Sequence, residues 1–367
     1  CFLQNRKTIN PSESDYAVMP FSEVWRVMDN LFQQDRWDET IGMYSLTKPG
    51  SNSGWNQIWQ LGWVGGGQAT LPILLQGNET GRERAMKNLD VIFSKTQASS
   101  GLYYAYGNGK EFKSFGFGEA FKNNETFVRS QGDFLYMAQK QFSLLQKLQK
   151  NVPATWLASL KKQADAFYKL WDKYKQVGQF VDVETGEICI GGSTAGAIVP
   201  AGLALASQTY GEKKYLHAAE GLAEKFYTDY VLKGYTTGGP GEILSTPDSE
   251  SAFGLFESYV TLYEVTGKKK WLEYAKDLLP ICASWVVSYD FRFPEHSIMH
   301  QIDAHSTGSV WASVANKHSA PAICTWSGES LLKYYRATGD KYAIELLKDI
   351  SHGVPQYVSH KDRKVGN

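Results

Sequence analysis

The chain has 367 residues, and its 38 Lys and Arg against 38 Asp and Glu give a formal net charge of +0 at pH 7. A neutral chain lacks the broad positive field that draws in nucleic acid or an anionic membrane surface. No apolar run reaches the roughly 20 residues needed to cross a bilayer, so neither nucleic acid nor a membrane span is expected. Aromatic residues make up 14% of the chain, with 11 Trp, 21 Tyr and 18 Phe. Rings in that number serve either a large core or a cleft, where flat faces meet the C–H faces of sugars.

Cys1, Cys189, Cys282 and Cys324 are widely spaced and form no CxxC, so neither a zinc site nor a disulfide framework is signalled. Cys282 and Cys324 lie in apolar helical contexts and read as small buried residues. Cys1 fits the lipid-bearing first residue of a mature bacterial lipoprotein, or the place where a longer chain was cut. The apolar pair that follows it, in place of a polar tether, favours the cut, and with it a further domain of the same chain. No cofactor is expected, because Gly65-Gly-Gly67 lacks the Lys-Ser/Thr of a phosphate loop.

In chain order, a lone helix is predicted near 21–34, followed by five helical hairpins: 66–76 with 82–97, 125–148 with 154–176, 194–209 with 213–231, 248–266 with 270–288, and 320–338 with 341–357. Three of them align on their turn glycines: Ser207-Gln-Thr-Tyr-Gly211, Tyr263-Glu-Val-Thr-Gly267 and Tyr335-Arg-Ala-Thr-Gly339. Glycine supplies the left-handed residue that ends the first helix, and an amphipathic second helix restarts after it. Gln76-Gly-Asn-Glu-Thr-Gly81 reads as a fourth copy, and Lys150-Asn-Val-Pro153 as a connection without the glycine. First helices are rich in Gly, Ala and Ser, whereas second helices are Lys/Glu-rich and amphipathic. A ring needs that asymmetry, with inner helices buried on most sides and outer helices half wet.

This arrangement resembles the six-hairpin, or (α/α)6-toroid, superfamily of glycoside hydrolases, polysaccharide lyases and sugar epimerases, from roughly residue 20 to 358. The resemblance implies an all-α fold, a single toroid domain over 1–367, a carbohydrate substrate and a periplasmic or secreted location. A full ring has twelve helices against the eleven predicted, which places the missing one outside residues 1–367. In this architecture the long loops entering the inner helices share one face of the ring. Here they are 52–67, 103–118, 234–250 and 291–321, rich in Gly, Trp, Asp and His, and they mark the expected cleft.

Four constellations on that face carry candidate chemistry. In Thr246-Pro-Asp248-Ser-Glu250, Thr246 suits the N-cap and Pro247 the first helical position, which puts Asp248 and Glu250 in a first turn, where acids also favour the helix dipole. Glu257 and Glu329 each stand ten residues before a turn glycine, so they share one depth in neighbouring inner helices and read more readily as deep supports than as catalysts. His300-Gln-Ile-Asp303-Ala-His305 gathers three titratable groups in a loop, with Asp303 as a general acid or base and the histidines on sugar hydroxyls or a carboxylate. Its spacing matches no metal motif. Arg129 and Asp133 are i, i+4 on one helix and can form a plain ion pair. In the unsaturated-glucuronyl hydrolase branch of the superfamily a catalytic Asp occupies a comparable early inner helix. Asp133 is similar in placement, and Arg129 would then clamp a uronate carboxylate.

Glycosidic cleavage needs one carboxylic acid and one carboxylate, and the preferred pair is Asp303 with Glu250. Asp133, Asp248 and Glu329 are the other carboxylates expected around the cavity, and Trp63, Tyr104 and Trp326 are the expected sugar platforms. Lyase or epimerase chemistry through His300, His305 and Tyr235 is the alternative enzyme class, and a non-catalytic glycan-binding toroid is the alternative to an enzyme.

Overall fold

The computed structural model of the protein describes residues 18–51, 59–107, 111–114, 124–241, 244–316 and 318–365. Cys1 and the expected loop stretches at 52–58, 108–110 and 115–118 lie outside the described residues. The lone helix is α1 (Phe21–Leu31), extended by a wider turn over Phe32–Arg36. The five hairpins are α2 (Thr70–Gln76) with α3 (Glu79–Lys95), α4 (Val128–Lys147) with α5 (Ala154–Tyr174), α6 (Val199–Tyr210) with α7 (Lys213–Asp229), α8 (Ser249–Thr266) with α9 (Lys270–Ser284), and α11 (Glu329–Thr338) with α12 (Lys341–Gln356). A one-turn helix, α10 (Ile298–Gln301), lies within the loop between the last two hairpins. No helix among the described residues is long and apolar enough to cross a membrane.

The first helices line an inner ring in the order α2, α4, α6, α8, α11, and α3, α5 and α7 pack outside them. Close approach of the inner helices depends on their small residues. A side-chain carbon at Gly132 of α4 would come within 2.8 Å of Ile198, just before α6, and one at Gly202 of α6 within 2.9 Å of Leu135 on α4. Aromatic residues fill the layer between inner and outer helices, with Phe93 stacked on Trp156 at 5.2 Å and Tyr103 edge-on to Phe134 at 4.9 Å. Cys282 is buried in this layer as expected, and Cys324 is half-buried.

The hairpin turns follow the sequence: Gly211, Gly267 and Gly339 all adopt left-handed backbone at φ 68°, 68° and 73°. At the fourth copy the capping differs. Gly77 ends α2, Asn78 caps α3 by accepting from the Gly81 amide at 2.8 Å, and Gly81 lies inside the helix.

Several inner helices begin later than their sequence pattern implies, and at three of them short strands take residues before the helix. Gly65–Gly66 (β4) pairs with Trp59–Leu61 (β3), which also pairs with Tyr106–Gly107 (β5). Glu125–Phe127 (β7) pairs with Phe180–Asp182 (β8), and Val310–Trp311 (β10) with Ser319–Ala320 (β11). At α8 the cap is Asp248, not Thr246, since its carboxylate accepts the Ser251 amide at 2.6 Å. These short strands gather at the starts of the inner helices and so build the loop-rich face.

The crowded and open glycines separate two kinds of requirement. Gly202→Leu should lower unfolding stability by about 1–3 kcal/mol through overpacking against α4. Gly211→Asn, at a left-handed turn with open space around it, should stay within about 0.5 kcal/mol. Urea melts of the two variants check the contrast.

Candidate active site

At the loop-rich end of the ring the first turns of α4 and α8 carry one buried guanidinium with carboxylates on two sides. Arg129 lies in the first turn of α4, and its side chain is 4% exposed. Its Nη1 donates to the Gly239 carbonyl at 2.9 Å and is ion-paired with Glu250 of α8. Its Nη2 donates to Thr325 Oγ1 at 2.7 Å. Asp133, one turn along α4, places Oδ2 3.5 Å from Arg129 Nε, and the Trp63 indole donates to the same oxygen at 2.8 Å. The guanidinium also lies over the Trp63 ring, 5.5 Å from its centroid. A buried cation demands such compensation, and five separate segments supply it.

Burial pushes the Asp133 carboxyl up to about 6, against the pull of Arg129 and of the Trp63 and Thr325 side chains. Burial wins for a geometric reason: the 3.5 Å approach to Nε is too long for a hydrogen bond, and the guanidinium is engaged elsewhere. Asp133 Oδ1 and Arg129 Nε are both buried without a hydrogen-bond partner. Buried polar groups are normally satisfied, so two such atoms side by side mark a place built for something besides packing.

Asp248 has a different task. Its carboxylate is fully buried and accepts from the Ser251 amide at 2.6 Å, the Ser251 hydroxyl at 2.7 Å and the Gly239 amide at 2.9 Å. Burial raises its ionisation range, and those bonds oppose the shift. By holding Gly239, Asp248 sets the carbonyl that receives Arg129, and it offers no face to a cleft.

Next to Thr325, Trp326 is buried among the inner helices. Its buried indole is edge-on to Tyr136 of α4 at 6.0 Å and faces Gly254 of α8, and its Nε1 has no hydrogen-bond partner. The preceding Thr325 takes a left-handed conformation at φ 65°, costly for a β-branched residue. Arg129 on its hydroxyl and Gln68 Nε2 on its carbonyl at 2.6 Å hold it there. Deeper still, Tyr136 donates to Glu257 at 2.5 Å. Glu329 begins the short helix α11 and pairs with Lys140 at 2.5 Å and Lys333 at 2.8 Å. Burial alone would raise the Glu329 carboxyl, but the two ammonium groups outweigh it and hold it at about 2.

The other predicted site residues stand apart from the guanidinium. Asp303 is exposed on left-handed backbone at φ 48°, with the charge of Arg363 near it. His300 is exposed on α10, and His305 Nδ1 meets Asp290 at 2.8 Å. The loop bearing them packs on the outer helix α12, where Gln356 Oε1 accepts the His305 amide. The observed contacts therefore set Glu250 and Asp133 each against Arg129, and give Asp303 other company. Tyr104 donates to Glu184, and Tyr235, 37% exposed, is edge-on to Tyr230 at 5.8 Å. Arg129, expected as a free uronate clamp, has both terminal nitrogens occupied by protein acceptors. Thr325, Gly239 and Gln68 had no signal in the sequence, since tertiary contacts alone bring them to Arg129.

No protein-family model and no curated protein matches the sequence. By fold, the protein is an all-α toroid of helical hairpins of the (α/α)6 type. It is similar to an unsaturated glucuronyl hydrolase specific for heparin (13% identity, TM-score 0.58, covering 97% of this chain and 87% of that one). It is also similar to the cellobiose 2-epimerase of Bacillus thermoamylovorans B4167 (12%, 0.59, 93% and 90%) and to a glycoside hydrolase family 76 mannosidase of Bacteroides thetaiotaomicron VPI-5482 (12%, 0.56, 89% and 84%).

A carboxyl raised by burial binds its proton more tightly in the folded chain. Folding therefore takes up a proton between the ordinary value of 3.8 and about 6. The contribution of Asp133 to stability is present in full below 3.8 and is lost as pH rises through about 6. The stability of wild type minus that of Asp133→Asn, measured by denaturant melts, should fall by about 2–3 kcal/mol over this window. A difference that grows with pH would mean that the charge of Arg129 outweighs burial.

Proposed function

We propose that the protein is a glycoside hydrolase acting on an oligo- or polysaccharide, with Asp133 as general acid and Glu250 as the partner carboxylate. The observation that carries this reading is the placement of both groups on one guanidinium while burial keeps Asp133 protonated up to about pH 6. Oxygens that both touch one guanidinium lie inside the roughly 9.5 Å limit for two-carboxylate cleavage. The two acids are unlike in surroundings, as acid and base roles require. Asp133 is sealed in with an unbonded Oδ1, and Glu250 is paired with a cation and 8% exposed.

In this reading Asp133 Oδ1 passes its proton to the glycosidic oxygen as the C–O bond breaks. Glu250 supports the sugar cation as nucleophile, or by taking a proton from the attacking water. Asp133 is fully covered, and the half-buried Trp63 indole bonded to it lies on the loop face. Entry of a sugar therefore requires the Trp63 segment to move. Arg129 serves as a positioning residue that fixes both carboxylates. The similarity to a glucuronyl hydrolase makes uronic-acid oligosaccharides the first substrates to try, and mannosides the second.

Asp133→Asn and Glu250→Gln should each lower kcat by about 10²–10⁴-fold, whereas Asp303→Asn should stay within about twofold, read as released reducing sugar over a panel of unsaturated uronyl, mannosyl and glucosyl oligosaccharides. Wild-type activity should decline above about pH 6, as Asp133 loses its proton. An epimerised product that disappears with His305→Ala would sink the hydrolase reading in favour of epimerase chemistry. Sugar binding without any product would leave a glycan-binding toroid.

A further inference from the structure

The opposite, turn-bearing end of the ring holds a cavity of about 560 Å³, a size usual for small-molecule sites. It is lined by the later turns of α4, α6 and α8 and by the start of α11. Tyr136 forms part of its wall, and the same ring is edge-on to Trp326. Trp326 thus lies between this cavity and the Arg129 cluster.

The chemistry of the lining is specific. Lys140, Glu329, Lys333 and Glu264 form an open chain of three ion pairs at 2.5–2.9 Å, so these four charges cancel one another, and Lys147 adds a further cation at the exposed rim. Between them lie amide and hydroxyl groups, chiefly Gln139, Gln208 and Thr209, over apolar surface from Leu71, Leu75 and Leu205. Gln139 is 3% exposed; its Oε1 accepts from Thr209 at 2.6 Å, and its Nε2, near the Tyr210 hydroxyl, completes no hydrogen bond of good geometry. Flipping the amide would only transfer the vacancy to the oxygen. A buried amide end without a completed hydrogen bond, in the wall of a polar cavity, is a hydrogen-bonding group held ready for a molecule that enters.

We propose that this turn-face cavity is a second binding site, separate from the Arg129 cluster, for a neutral polyhydroxylated ligand of mono- or disaccharide size. Inside the rim lysine the paired charges give no purchase to a free anion or cation, since an anion there would have to displace Glu329 from two ammonium groups. Hydroxyls, in contrast, can both donate and accept, and they match amides and ion pairs that have unused hydrogen-bonding capacity. The leucine side chains supply the apolar surface on which the C–H face of a sugar rests. Entry is open at the rim, where Ser143, Gln146 and Lys147 are exposed.

The test is an NMR titration of the whole chain with cellobiose, with sodium glucuronate as a separate arm, on wild type and two variants. Ser143→Trp plugs the mouth from an exposed position, and Gln139→Leu removes the buried amide at similar volume. Both should retain the wild-type melting temperature within a few degrees and weaken one cellobiose binding event at least tenfold. Cellobiose binding that is absent in wild type, or identical in wild type and Ser143→Trp, overturns the site. Glucuronate binding in place of cellobiose overturns its neutral class. Hydrolysis assays on the Asp133 and Glu250 variants report on the loop face alone, so either reading can fail without the other.

Discussion

A guanidinium cannot be left in a protein interior without partners, and at Arg129 that requirement organises the loop-rich end of the ring. Its charge is compensated by Glu250 from α8 and Asp133 from α4, its terminal nitrogens by Gly239 and Thr325, and its face by Trp63. Removing one partner of such a cluster costs several kcal/mol, because the remaining charge stays buried. Each segment that enters the site is therefore placed by the same ion. Asp248 extends the arrangement by one step, gripping the backbone amide of the residue whose carbonyl takes Arg129.

The charge count then determines the protonation state. Three carboxyl groups, Asp133, Asp248 and Glu250, crowd around one cation, and full ionisation would leave two uncompensated negative charges in a buried space. Burial raises both Asp133 and Asp248, the physically expected response of a site with more acids than bases. Glu250 is the carboxylate in closest contact with the guanidinium. The difference between the acids is thus a consequence of packing: identical functional groups become unlike because only one of them has the full attention of the cation.

The hairpins were legible in the sequence because their signals are local. A left-handed turn residue wants glycine, and Gly211, Gly267 and Gly339 sit where that demand falls. Inner-helix starts were less legible, since Gly65–Gly66, Glu125–Phe127 and Ser319–Ala320 are taken into short strands, Glu125–Phe127 by a partner far along the chain and the other two by nearby segments. Arg129, Asp133 and Glu250 could be chosen as candidates from their positions near helix starts, but nothing local ties α4 to α8. Asp303 drew attention through the density of titratable groups around it. The loop that carries it instead packs outward on α12, and its histidine is tied to Asp290. Thr325 was invisible, since no residue preference would assign left-handed backbone to threonine. Tertiary hydrogen bonds impose it.

That strained threonine links the two ends of the molecule. Arg129 and Gln68 hold Thr325, and Thr325 fixes where Trp326 enters the ring, between Tyr136 and Gly254. On the Thr325 side of the indole burial raises Asp133, and Tyr136 on its other side lines the cavity that holds the chain of lysines and glutamates. The backbone strain at Thr325 is offset by hydrogen bonds from the guanidinium and from Gln68. The charge cluster and the Thr325 turn therefore stabilise each other, and the fold alone, shared with hydrolases and an epimerase, specifies neither.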